Sequence, residues 1–209
     1  TYTSIVHNNK LYIGTNQGLF CKELNSTSKF EFVQNTKGQV WNLYSYQNTL
    51  FCGHDSGTFI VNGTCAILIY NNSGTWKFVP SSKDSNLLLQ GNYNGISVLE
   101  KKNNSWVFRN KIKGFNYSSK HFETLNGKEI YVSHEYKGVY RFTVDNKLTT
   151  ASNIFKFKTP EKGKNATLTK YNNQIYYASK AGVFIMNNAS KAFEKENSLS
   201  VILQNDEYV

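Results

Sequence analysis

Several residue types are scarce in this chain. Its 209 residues include two prolines, three cysteines, one methionine and two arginines, Arg109 and Arg141. Readers of nucleic-acid sequence depend on the bidentate guanidinium fork, so two arginines argue against that use. Cys21, Cys52 and Cys65 are odd in number and widely spaced, which predicts neither a disulfide framework nor a zinc site. The thiols read instead as small buried hydrophobes. No apolar run reaches the roughly 18 residues of a transmembrane helix. The longest such stretch, Cys65 to Tyr70, is strand-sized. No segment of helical period stands out. A strand pattern begins at once, with no signal peptide before it. The first residue is Thr1 rather than Met, which suggests a mature fragment or an excerpt of a longer chain.

Aromatic and basic residues are plentiful. Tyr and Phe number 14 each, and such side chains pack well on pleated sheets. With 39 % apolar and 18 % charged residues, the composition is that of a folded domain rather than a disordered one. The net charge of +10 comes almost entirely from lysine. A basic balance suits nucleic acid, anionic polysaccharide or a membrane surface, and it also follows from a general Lys and Asn bias.

One phrase recurs five times: an apolar strand ending in a small residue, a short polar gap, a glycine, and a second strand. The copies begin Leu11-Tyr12-Ile13-Gly14, Leu50-Phe51-Cys52-Gly53, Leu88-Leu89-Gln90-Gly91, Ile130-Tyr131-Val132-Ser133 and Ile175-Tyr176-Tyr177-Ala178. Their second glycines, Gly18, Gly57, Gly95, Gly138 and Gly182, are spaced by 39, 38, 43 and 44 residues. A period of about 40 residues with four short strands predicts a β-propeller. The expected fold is therefore all-β, with four-stranded blades over residues 1–34, 39–71, 75–110, 119–158 and 166–203. The fifth blade's last strand is expected near Ala192–Glu196 or Ser200–Leu203. The hairpin turns Asn8-Asn9, Gln47-Asn48, Asp84-Ser85, Asn126-Gly127 and Asn172-Asn173 suit positive φ. The glycine opening each third strand is expected to serve both positive φ and close approach between blades. Consecutive apolar residues within strands predict blades covered on both faces. No strand borrowed across the termini is evident, so the five blades are expected to belong to a larger propeller, with seven as a candidate number.

Two sets of loops share one face of such a disc. The first joins strands two and three and carries His54-Asp55-Ser56, Asn92-Tyr93-Asn94 and His134-Glu135-Tyr136-Lys137. The second links successive blades and carries Lys37, Lys111, Lys113, Tyr117, Lys120, Lys162 and Lys164. This arrangement predicts a binding site for a polar, anionic or sugar-like ligand. Its residues would be His54, Asp55, Asn92, Tyr93, Lys111, Lys113, Tyr117, His134, Glu135 and Tyr136. The tyrosines would stack on sugar rings while Asn and His exchange hydrogen bonds.

Catalysis has less support. Asp55 and Glu135 occupy like loops two blades apart, and a carboxylate pair could serve glycoside hydrolysis. Each also neighbours a histidine, as a metal site would require. The other loops of that set supply no acid, and adjacent residues at a strand end point to opposite sides. No nucleophile elbow or phosphate loop is present. The reading is a non-enzymatic binding module without metal or cofactor. A protein-interaction scaffold and a polysaccharide-active hydrolase or lyase are its rivals. Asn-x-Ser/Thr triplets, such as those at Asn62 and Asn116, follow from Asn richness.

Leu11-Tyr12-Ile13-Gly14-Thr15-Asn16-Gln17-Gly18-Leu19-Phe20 resembles the propeller repeat of bacterial two-component regulators, close to "LWIGT-x-x-GL". Gly74 to Phe78, Leu89 to Gly95, Arg109 to Phe115 and Val132 to Tyr140 are similar to regulators of Bacteroidetes type. In that family the propeller precedes a three-tyrosine β-sandwich, a membrane helix and a cytoplasmic kinase or helix-turn-helix output. The resemblance covers essentially the whole chain, but as propeller only. It implies a sensory part lying in the periplasm or otherwise outside the cytoplasmic membrane, an oligosaccharide or other small polar ligand, and pairing into a homodimer. Nucleic acid and membrane would be met only through flanking segments.

Overall fold

The computed structural model describes residues 1–163 and 165–202. It contains five four-stranded antiparallel sheets, each built from strands consecutive in sequence. The innermost strands are Thr3–His7, Val40–Tyr46, Lys77–Pro80, His121–Leu125 and Thr167–Tyr171. The outermost are Glu31–Phe32, Cys65–Tyr70, Ser105–Lys111, Ala151–Lys156 and Ala192–Glu196. The all-β propeller expectation holds. Asn197–Ile202 form a short helix where the alternative last strand was expected; Leu203 lies outside the described residues.

The core is divided among the seams between blades. Tyr12, Leu19 and Cys21 of blade 1 meet Leu43, Leu50 and Cys52 of blade 2. Phe51 of blade 2 meets Phe78, Leu88, Leu99 and Trp106 of blade 3. Leu89, Ile96 and Val98 of blade 3 meet Phe122, Ile130, Val132 and Phe142 of blade 4. Tyr131, Val139 and Phe157 of blade 4 meet Leu168, Ile175 and Tyr177 of blade 5. Continuous apolar triplets follow from this arrangement, because successive side chains of a middle blade enter opposite seams. The two-sided expectation is met in blades 2 to 4 only. In blades 1 and 5 one face is covered by a neighbour, and Val6 and Tyr171 on the inner strands are 55 % and 66 % exposed. Every described sheet is completed by its own strands.

Three local expectations need correction. Positive φ occurs in the first hairpin turns of blades 1, 2, 4 and 5, as at Asn8 and Asn9 (46° and 59°). The blade 3 turn is built differently: Asp84 Oδ1 accepts from the Asn86 N–H at 2.9 Å, an Asx turn. The third-strand glycines do take positive φ, and their close approaches are of two kinds: a Cβ on Gly95 would lie 2.4 Å from the Phe115 carbonyl oxygen and one on Gly18 2.7 Å from that of Thr36, both in loops linking successive blades, whereas at Gly57 the approach is within the blade. A Cβ on Gly57 would lie 2.3 Å from the carbonyl oxygen of Tyr70, which ends the same sheet. Close approach between blades also occurs at the penultimate residue of the second strand in blades 2 and 3. A Cβ on Gly53 would lie 2.5 Å from the Thr75 carbonyl oxygen, and one on Gly91 only 1.9 Å from that of Ser119. The cysteine expectation is also partly revised: Cys21 and Cys52 are buried, but Cys65 is exposed. Complete burial pushes the Cys52 thiol up to about 12.

Because the Gly91 contact is with backbone, Gly91→Ala cannot be absorbed by a rotamer change. It is expected to cost about 1–3 kcal/mol, read as a lower urea midpoint with an unchanged m-value.

Candidate functional site

Register places one residue from each blade at the same point on the mouth. Thr3 pairs with Gly14, Asn42 with Gly53, Lys77 with Gly91, His121 with Ser133 and Thr167 with Ala178. The residues immediately before these are Tyr2, Trp41, Trp76, Lys120 and Ala166. They form a row around the channel. The Tyr2 and Trp41 ring centroids are 5.1 Å apart, and those of Trp41 and Trp76 are 4.5 Å apart. The Lys120 ammonium lies 5.2 Å from the Trp76 centroid, a cation–π contact. Tyr93 packs on Trp76 at 5.1 Å. Gly74, at φ 69°, makes room for the Tyr93 ring, which a Cβ there would overlap at 2.0 Å.

Beside this row lies a cavity of about 190 Å³ between blades 3, 4 and 5. Trp76, Ser118, Lys120, His121, Ser133, His134, Glu135, Tyr136, Asn165 and Ala166 line it. His134 Nδ1 accepts from the Tyr136 N–H at 3.1 Å, which fixes the turn and leaves Tyr136 68 % exposed. Burial holds the His134 imidazole below its usual value; Lys137 adds to this and Glu135 opposes it. Burial pushes His121 further, to about 4, and the Lys120 and Lys77 charges act the same way. Tyr117 stands next to His134, with the Lys137 ammonium 4.1 Å above its ring. Lys77, whose charge acts on His121, is paired with Glu123 at 2.7 Å.

The structure therefore brings His134, Glu135, Tyr136 and Tyr117 together, with Tyr93 across Trp76. It separates the others. His54 is 1 % exposed, and its pKa is lowered by burial, with the Asp55 carboxylate and the Thr36 backbone opposing. Asn92 is fully buried; its Nδ2 donates to Thr75 Oγ1 at 3.1 Å, in a network with Thr58 and Gln90. The Asn92 network ties blade 2 to blade 3, while the His54 ring packs edge-on to Phe59 and closes its own turn by accepting from the Ser56 N–H at 3.1 Å. Asp55 is outside the cavity that holds Glu135. Lys111 ends an outermost strand, and Lys113 bridges to Thr150 beside the next one, so both sit toward the rim. Lys164 lies outside the described residues. Among the described residues no group of three or more His, Cys, Asp or Glu could hold a metal. No described helix is long and apolar enough to cross a membrane.

Reasoning on loops missed Trp41, Trp76 and His121. For Trp41 the signal was present in the repeat phase: Tyr2 and Trp41 each stand 12 residues before a glycine at the end of the repeated second-strand phrase, Gly14 and Gly53.

No family model matches this sequence, and no curated protein matches it. Solved structures do resemble it. Two are extracellular domains assigned to hybrid two-component systems of B. thetaiotaomicron, BT4673 and BT3049. Both are 14 % identical, with TM-scores of 0.65 and 0.67; 93 % and 91 % of this chain is covered. The WD40 β-propeller domain of Doa1 is 12 % identical, with a TM-score of 0.62 over 90 % of this chain. The chain spans 27 % and 29 % of the two bacterial chains and 64 % of the Doa1 chain. At these identities the likeness is one of fold: a propeller of the kind found in the extracellular part of such regulators.

The depressed His121 has a consequence for stability. As pH falls from 6.5 towards 4, the unfolded chain binds a proton at His121 that the folded chain refuses. Stability is therefore expected to decline across that window. His7, His54 and His134, also shifted down, contribute with the same sign. Urea unfolding at stepped pH should show the decline, with a shallower slope for His121→Gln.

Proposed function

We propose that this chain is a non-enzymatic sensory propeller that binds a polar ligand, an oligosaccharide, at the channel mouth. The observation that carries this reading is the cavity beside the aromatic row. It combines ring faces and edges with hydroxyl, imidazole, amide and ammonium groups. Mouths of this kind suit sugars, whose apolar faces stack on aromatics while their hydroxyls need directed partners. At about 190 Å³ the cavity is smaller than the ~300 Å³ at the low end of ligand pockets. It would seat one unit of a ligand, with the rest lying over Trp76, Tyr93 and Tyr136. Likeness to extracellular domains of two-component systems supports a sensory role outside the cytoplasmic membrane. An output joined to the propeller, and pairing of two copies, belong to the same proposal.

The rivals fit less well. A hydrolase needs two carboxylates across one cleft, and Asp55 does not share the cavity with Glu135. A scaffold would offer a wide aromatic patch, whereas the Tyr2, Trp41 and Trp76 rings lie in a narrow row, Trp41 and Trp76 tilted at 35° to one another.

Glycan-panel binding followed by calorimetry tests the reading. Trp76→Ala and Tyr136→Ala should each weaken a bound glycan about tenfold, or ~1.4 kcal/mol. Asp55→Ala and Glu135→Ala should leave the melting temperature in place. Release of reducing ends from a polysaccharide by the wild type, abolished by Glu135→Ala, would reverse the ranking in favour of an enzyme.

A further inference from the structure

We infer that the sugar this mouth selects carries an anionic substituent, a carboxylate or sulfate, and that Lys120 is the residue that reads it. The inference rests on the proposed glycan-binding role and narrows the class of glycan.

Lys120 is an exposed cation held at the cavity wall by a ring rather than by an acid. Its ammonium lies 5.2 Å from the Trp76 centroid. The ion pairs among the described residues, such as Lys77–Glu123 and Arg141–Glu129, do not include it. A π face orients an ammonium without cancelling its charge, so the field of Lys120 stays available to a ligand. Lys137 is held in the same way over Tyr117 on the far side of His134. Against these two cations the cavity wall sets one carboxylate, Glu135. Both imidazoles of the wall are disfavoured as cations, and neighbouring lysines contribute to that in each case. The local potential is thus positive where a ligand would sit, while the wall itself supplies mostly neutral hydrogen-bonding groups.

Geometry ties this charge to the stacking surface. Because Lys120 sits over Trp76, a ring packed against the aromatic row places its substituents next to the ammonium. A neutral sugar would satisfy the row but leave the charge in water. An acidic one would satisfy both. Lys111 and Lys113, which lie towards the rim, have no part in this.

The test uses four probes on the intact chain: a galacturonate trimer, its methyl-esterified form, a sulfated galactan oligomer and the corresponding neutral galactan oligomer. Affinities are measured at two salt concentrations for the wild type, Lys120→Gln and Lys111→Gln. The wild type should prefer an acidic probe to its neutral counterpart. The carboxylate and sulfate arms then show which anion is read. Lys120→Gln should lose about fivefold for the acidic probe, the scale of an exposed ion pair. It should flatten the salt dependence and keep the wild-type melting temperature. Lys111→Gln should match the wild type. Equal or tighter binding of the neutral probes overturns this inference and leaves the glycan-sensor reading standing. A Lys120→Gln protein with unchanged preference overturns the role of Lys120. Binding of none of the four, nor of any glycan on the wider panel, removes the sensor reading and this inference with it.

Discussion

Everything at the mouth depends on backbone hydrogen bonds that join the end of one blade's second strand to the lead-in of the next blade. The Val40 N–H donates to the Thr15 carbonyl at 2.9 Å, the Thr75 N–H to His54 at 3.0 Å and the Ser119 N–H to Asn92 at 3.0 Å. Each bond draws a linking loop over its predecessor. The small residues Gly53 and Gly91 permit the approach, since any side chain there would strike a carbonyl oxygen. Buried polar backbone must be paired, so these contacts are obligatory once the seams close. They set where the next chain segment turns inward, and hence where Trp41, Trp76 and Lys120 stand. The aromatic row follows from this stitching.

Blade architecture was legible from residues because a glycine phase of about 40 residues survives divergence. The backbone needs it for positive φ at the start of each third strand. The site was only partly legible, and His54 and His134 show why. Both end a second strand and both precede an acid. In blade 2 the turn is tight: His54 still pairs with Gly57, which leaves Asp55 and Ser56 outside. In blade 4, His134 pairs with Gly138, one residue further on. The longer loop lifts Glu135 and Tyr136 into solvent and leaves His134 half-buried at the cavity. One inserted residue separates a packing histidine from a candidate binding one. Asn92 resembles His54, pairing with Gly95 across a two-residue turn.

The lysines teach a related lesson. Loop membership put Lys111, Lys113 and Lys120 in one set, but a linking loop crosses the whole radius of the disc. Its first residues leave the outermost strand and its last reach the innermost. Position along the loop therefore sorts cations into rim and mouth. Sequence shows that order directly once the strand ends are known: Lys111 closes a strand, and Lys120 immediately precedes the next.

The cavity reaches across the seam between blades 4 and 5. The cavity wall there combines blade 4 residues, His134 and Glu135, with Asn165 and Ala166 of the following lead-in. Hydrophobic packing holds that seam through Tyr131, Val139, Leu168 and Tyr177. Apolar contact is non-directional and tolerates small changes in spacing, whereas a backbone bond does not. A ligand seated across this seam touches both blades, so its affinity depends on the distance between them. On the proposed reading, that dependence is what lets occupancy favour one blade arrangement over another, since a ligand shifts an equilibrium only by binding its two states unequally.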